Sequence, residues 1–124
     1  MIWQTIKKER EYIMNKMNNN QQLQVITKQY KEKNKGRMAE MAEVVAKMSF
    51  NELIERKKTT TNPIIHVLLN DNPYRYLLYK ASNMTNASEI SKIRAKMVKI
   101  IIERMEQIIE KYIMSKIYIG INLT

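Results

Sequence analysis

The sequence predicts an all-α fold: a compact helical bundle in which one long C-terminal helix, about residues 87–118, is packed by several shorter helices. Three observations point there. Apolar side chains from Ile90 to Tyr112 recur in steps of three and four, the period of one helix face. Glycine and proline occur only twice each, which leaves little material for tight turns. Capping residues (Asn, Ser or Asp) stand directly before most of the apolar segments. A length of 124 residues suits a single helical domain, 1–124, with one core.

At the N-terminal end, residues 1–17 read as an amphipathic helix with Ile2, Trp3, Ile6, Ile13, Met14 and Met17 on one face. The run Asn18-Asn19-Asn20 is a polar break able to cap the next helix, where Leu23, Ile26 and Tyr30 are spaced i, i+3, i+7. That helix is expected to stop at Gly36, a natural terminator. Residues 37–48, RMAEMAEVVAKM, then predict a separate short helix with Met38, Met41, Ala42 and Val45 inward. Ser49, with Glu52 three residues on, gives a capping box for another, which carries Phe50, Leu53 and Ile54. Two short helices in succession also fit a helix-turn-helix. No turn glycine separates them, however, and the second offers only Asn51, Glu55 and Arg56 outward, so an ordinary helical corner is the plainer reading.

Asn62 before Pro63, and Asp71-Asn72 before Pro73, repeat one device: a capping side chain followed by a proline suited to the first turn. PIIHVLLN is apolar almost all round, which predicts a buried helix with His66 as a satisfied core histidine. In PYRYLLYKAS, Tyr76, Leu77 and Tyr79 are expected to meet the core.

The long helix opens with Asn86 and Glu89 at capping-box spacing, and Gly120 is a plausible stop. Ile90, Ile93, Met97, Ile101, Met105, Ile108 and Tyr112 form its central apolar line. Val98, Ile102, Ile109 and Ile113 fall on one flank and Ile100 on the other, so the apolar arc exceeds half the circumference. Such a helix is gripped by at least two neighbours. The opposite stripe is Lys92, Lys96, Lys99, Glu103, Glu106 and Glu110. Lysines lead and glutamates follow, against the helix dipole, at a cost of a few tenths of a kcal/mol per charge near an end. Beyond it Ile117, Ile119, Ile121 and Leu123 alternate with polar or small residues. This is either a fraying tail or a strand in need of a partner.

The totals narrow the chemistry. With no Cys and one His, neither a zinc ligand set nor a Cys-His or Ser-His pair can be assembled from the usual parts. Two isolated glycines make no phosphate-cradling loop. Among the acids only Asp71 lies off an exposed helix face, and it is needed as a cap. The expectation is a protein that is not an enzyme and holds no cofactor or metal. No apolar run is long enough to span a membrane and no secretory leader is visible, so cytoplasmic residence is expected.

A formal net charge of +10 favours an anionic partner. The leading expectation is a small protein associated with nucleic acid, DNA or RNA, as a regulator or as a subunit of a nucleoprotein complex. Its phosphate contacts would be Lys28, Lys31, Lys33, Lys35, Arg37, Arg56, Lys57 and Lys58, helped by Lys92, Lys96 and Lys99. Tyr74, Arg75, Tyr76 and Tyr79 add rings and a guanidinium able to stack on bases. The alternative is a protein-binding bundle, an oligomeric adaptor, inhibitor or immunity-type protein acting through the apolar face of the long helix. On architecture alone, without a shared motif, the arrangement resembles the small basic helical bundles of bacteriocin immunity proteins.

Overall fold

Hydrogen bonds from capping side chains set where each helix begins. The computed structural model describes residues 18–119, apart from the side chains at 19, 118 and 119. These residues form five helices and no strand: α1 (Asn19–Ala46), α2 (Phe50–Thr59), α3 (Pro63–Leu69), α4 (Asn72–Ser82) and α5 (Ala87–Ile119). The predicted helix over 1–17 and the stop at Gly120 lie outside the described residues. Of the alternating tail, residues 117–119 continue α5 as helix and the remainder again lies outside.

At the start of α1, Asn18 and Gln21 cap reciprocally. The Gln21 N–H donates to Asn18 Oδ1 at 2.8 Å, and the Asn18 N–H donates to Gln21 Oε1 at 3.1 Å. Ser49 Oγ accepts the Glu52 N–H at 3.2 Å, and Asn62 Oδ1 accepts the Ile64 N–H at 3.0 Å. Asp71 Oδ1 accepts from Tyr74 at 2.9 Å, while Asn86 Oδ1 accepts from Ser88 at 2.9 Å and Glu89 at 3.2 Å. Every N-cap side chain read from the sequence within these residues accepts a backbone N–H.

One predicted boundary is absent. The chain passes through Gly36 without a break, and the two helices expected on either side of it are the single 28-residue α1. Gly36 does not take the left-handed backbone conformation that ends a helix. A glycine inside a helix costs only about 0.5–1 kcal/mol relative to alanine. Burying Val45 alone, on the same helix, returns about 1.5–3 kcal/mol, so continuation wins. After Ala46 a tight turn, with the Met48 N–H bonded to the Val45 carbonyl at 3.0 Å, delivers the chain to Ser49.

The described residues fall into two units, Asn34–Ile108 and residues 18–33 with 109–119. The larger unit holds the hydrophobic core. Ala42, Val45 and Ala46 of α1 meet Leu53 of α2, the stripe Ile64, Ile65, Leu68 and Leu69 of α3, Tyr74 and Leu78 of α4, and Ile93, Met97, Ile101 and Met105 of α5. The long helix thus supplies the apolar wall against which the shorter ones pack. In the smaller unit Thr27 and Ile113 are buried. There a hollow of about 250 Å³ is lined by Leu23, Thr27, Lys28 and Lys31 of α1 and Glu110 of α5.

Several inward assignments change. Met41 is exposed, where its sulfur accepts from Asn62 Nδ2 at 3.5 Å, and Ala46 takes the inward position instead. His66 is exposed, because the buried stripe of α3 runs through residues 64, 65, 68 and 69 and leaves 66 on the other side. Tyr112 is exposed while Ile113 is buried. A line of steps of three and four drifts by about 20° per heptad, so over a helix this long the inward residue slips by one position.

Candidate functional site

In α4 the sequence permits two apolar stripes, 74-77-78-81 and 76-79, and docking selects the first. Tyr74 and Leu78 are buried, with Leu77 and Ala81 packed against the core. Tyr76 and Tyr79, expected inward, are 61% and 71% exposed. Both rings stand at the surface, and Lys80 Nζ lies 5.7 Å from the centre of the Tyr76 ring.

Tyr79 borders a cleft of the larger unit, about 450 Å³ in volume. Ala46, Leu78 and Met97, all buried, contribute its apolar floor. Lys47, from the turn after α1, Arg75 of α4 and Arg94 of α5 bring three positive charges to its wall, and no carboxylate lines it. None of the three has an ion-pair partner among the described residues. Phe50, the first residue of α2, completes the wall. The Arg75 guanidinium lies over its ring at 5.9 Å from the centroid. The ring face attracts the cation, whose N–H donors can still meet an anion. The positive end of the α2 dipole opens at the same place, where Ser49 caps the helix.

Two further polar details fix the cleft rim. The Ser82 hydroxyl donates to the Tyr79 carbonyl at 2.7 Å, and Asn83 Nδ2 donates to the same oxygen at 2.9 Å. Both close the last turn of α4, which holds the backbone of Tyr79 in place. At the other end of α4, Asp71 Oδ2 accepts from Arg104 Nε at 2.6 Å and so ties the start of α4 to α5.

The cations expected to contact phosphates are distributed differently. Lys92, Lys96 and Lys99 are exposed and share one stripe of α5, on the side away from Ile93, Met97 and Ile101. Arg56, Lys57 and Lys58 crowd the last turn of α2, where the helix dipole favours them, and Lys58 Nζ pairs with Glu55 at 3.0 Å. Lys35 and Arg37 are exposed on α1. In the smaller unit Lys33 is exposed, whereas Lys28 and Lys31 share their hollow with Glu110. None of these residues lines the cleft. Its own cations, Lys47 and Arg94, were not singled out in the sequence. Each sits next to a core position (Ala46 and Ile93), but nothing in the linear order joins residues 47, 75 and 94.

The helix-turn-helix reading meets an electrostatic difficulty. Asn51, Glu55 and Arg56 do face outward, but they line a hollow shared with Glu52, which would set two carboxylates against a phosphate backbone. Among the described residues no three His, Cys, Asp or Glu side chains gather as a metal site would require. No helix there is long and apolar enough to cross a membrane. No protein-family model, no curated protein and no solved structure matches this chain.

Proposed function

We propose that this protein binds nucleic acid without catalysing a reaction, as a regulator or as a subunit of a nucleoprotein complex. The observation that carries the reading is the cleft lined by Lys47, Arg75 and Arg94 with no carboxylate among its walls and two accessible aromatic rings at its edge. Unneutralised cations around a concave apolar floor focus a positive field and raise the local concentration of anions. The Lys92, Lys96 and Lys99 stripe, with Lys35, Arg37, Arg56 and Lys57, adds to the long-range attraction that steers a polyanion to the surface. The reading goes with a cytoplasmic setting.

Docking of a partner protein on the apolar face of α5 has less to rest on. Ile93, Met97, Ile101, Met105 and Ile113 are buried, and Ile100, Ile102 and Ile108 pack against the core. Little of the broad arc is left over for a partner.

Salt dependence is the test. Affinity for a fluorescent DNA or RNA oligonucleotide, read by anisotropy, should fall linearly on a log–log plot of binding constant against salt. Three phosphate contacts in the cleft alone give a slope of about −2 to −3, and the outer lysines steepen it. Replacing Lys47, Arg75 and Arg94 together by glutamine should flatten that slope by about 2. Failure to bind either oligonucleotide at about 50 mM salt would end the proposal.

A further inference from the structure

We infer that the cleft between Lys47, Arg75 and Arg94 accepts one unpaired nucleotide, so that the preferred ligand is single-stranded nucleic acid. This rests on the nucleic-acid reading above and assigns its ligand class.

Duplex binding would need only phosphate contacts, for which surface cations on any convex face suffice. The cleft offers more than that. Its floor is apolar at Ala46, Leu78 and Met97, which suits the flat face of a base. Tyr79 stands on the rim with most of its ring in solvent while the last turn beneath it is held by Ser82 and Asn83. A ring on so fixed a backbone is a stacking platform, and every base has a π-face to lay against it. Arg75, whose guanidinium lies 5.9 Å from the centre of the Phe50 ring, lines the cleft with Lys47 and Arg94, so three cations are at hand for the phosphate that accompanies the base. The volume, about 450 Å³, lies in the range of small-ligand sites, which is room for one nucleotide. Bases inside a duplex are stacked on one another and cannot enter such a cleft. Unpaired ones can, and stacking on an aromatic side chain is how single strands are generally gripped.

The test uses the full chain and two oligonucleotides of equal length, one single-stranded and one duplex, at low salt. The single strand should bind more tightly. Tyr79→Ala should weaken single-strand binding about tenfold and leave duplex binding unchanged, whereas Tyr79→Phe, which keeps the ring, should retain the wild-type value. Because Tyr79 is exposed, its truncation leaves the core intact, and an unchanged thermal melt checks this. Equal affinity for the two forms, or an equal loss on both in Tyr79→Ala, overturns the inference while leaving nucleic-acid binding standing. Polyglutamate that binds as tightly as the single strand overturns it too, since attraction of charge would then suffice. If neither oligonucleotide binds, the broader reading falls with it.

Discussion

Asp71 uses its two carboxylate oxygens for different ends: Oδ1 caps α4 and Oδ2 holds Arg104 of α5. Its side chain is only 8% exposed, so water cannot readily replace either partner. Asp71→Ala is therefore expected to destabilise the protein by about 2–4 kcal/mol, the sum of a lost cap and a lost charge-assisted hydrogen bond. Asp71→Asn should cost roughly half as much, because an amide oxygen still caps. Urea unfolding of both variants measures the difference. Three residues on, Tyr74 is fully buried and its hydroxyl finds no hydrogen-bond partner among the described residues. Burial disfavours the phenolate, so the pKa stands well above the ordinary tyrosine value of 10.0. Below that value both states of the chain keep the proton and stability is unaffected. As pH rises past it, the unfolded chain releases the proton and the folded one does not, so stability falls. Tyr74→Phe should remove this part of the alkaline loss. At neutral pH the same variant should be neutral or stabilising by about 1 kcal/mol, since an unpaired hydroxyl leaves the core. Unfolding midpoints of the two proteins at neutral pH and above pH 10 decide both points.

Among the helices, α1 is the instructive case. Gly36 is a legitimate terminator by composition, yet it lies within a run of good helix formers, and the helix gains more by continuing to its buried end at Val45 and Ala46. A β-carbon added at Gly36 would meet nothing within 4 Å. Gly36→Ala is thus expected to stabilise the protein by about 0.5–1 kcal/mol, visible as a higher denaturant midpoint at unchanged slope. A loss of stability would mean that the glycine is needed as a break after all. In α4 the ambiguity was of phase rather than of extent. Tyr74, Tyr76, Leu77, Leu78 and Tyr79 give an eleven-residue helix two nearly equivalent apolar stripes. The cap at Asp71 and the tie to Arg104 orient it so that Tyr74 and Leu78 go in and Tyr79 comes out to the cleft. His66 was misplaced for a related reason. An apolar run of seven residues exceeds what one side of a helix can bury, so something in it must face water, and the imidazole does so at least cost.

Across the whole molecule, α5 is the wall against which the larger unit is built, and Ile101 is its fully buried centre. Ile101→Ala is expected to cost about 2–5 kcal/mol, through the lost transfer energy and the cavity left behind. An exposed change such as Lys96→Ala should stay within about 0.5 kcal/mol. Chemical denaturation separates the two. The extent of α5, its buried line from Ile93 to Met105 and the N-caps of the helices before it were legible in the amino-acid order, because helical periodicity and capping act over three or four residues. The net charge was equally legible, being a sum over side chains that needs no geometry. The cleft was not. Lys47 lies in the turn after α1, Arg75 on α4 and Arg94 on α5, and they line one cleft only because Ala46, Leu78 and Met97 are buried together. Local rules decide which residues become helix. Which faces of those helices meet, and so which cations are left beside which rings, is set by long-range burial that no short window of sequence contains.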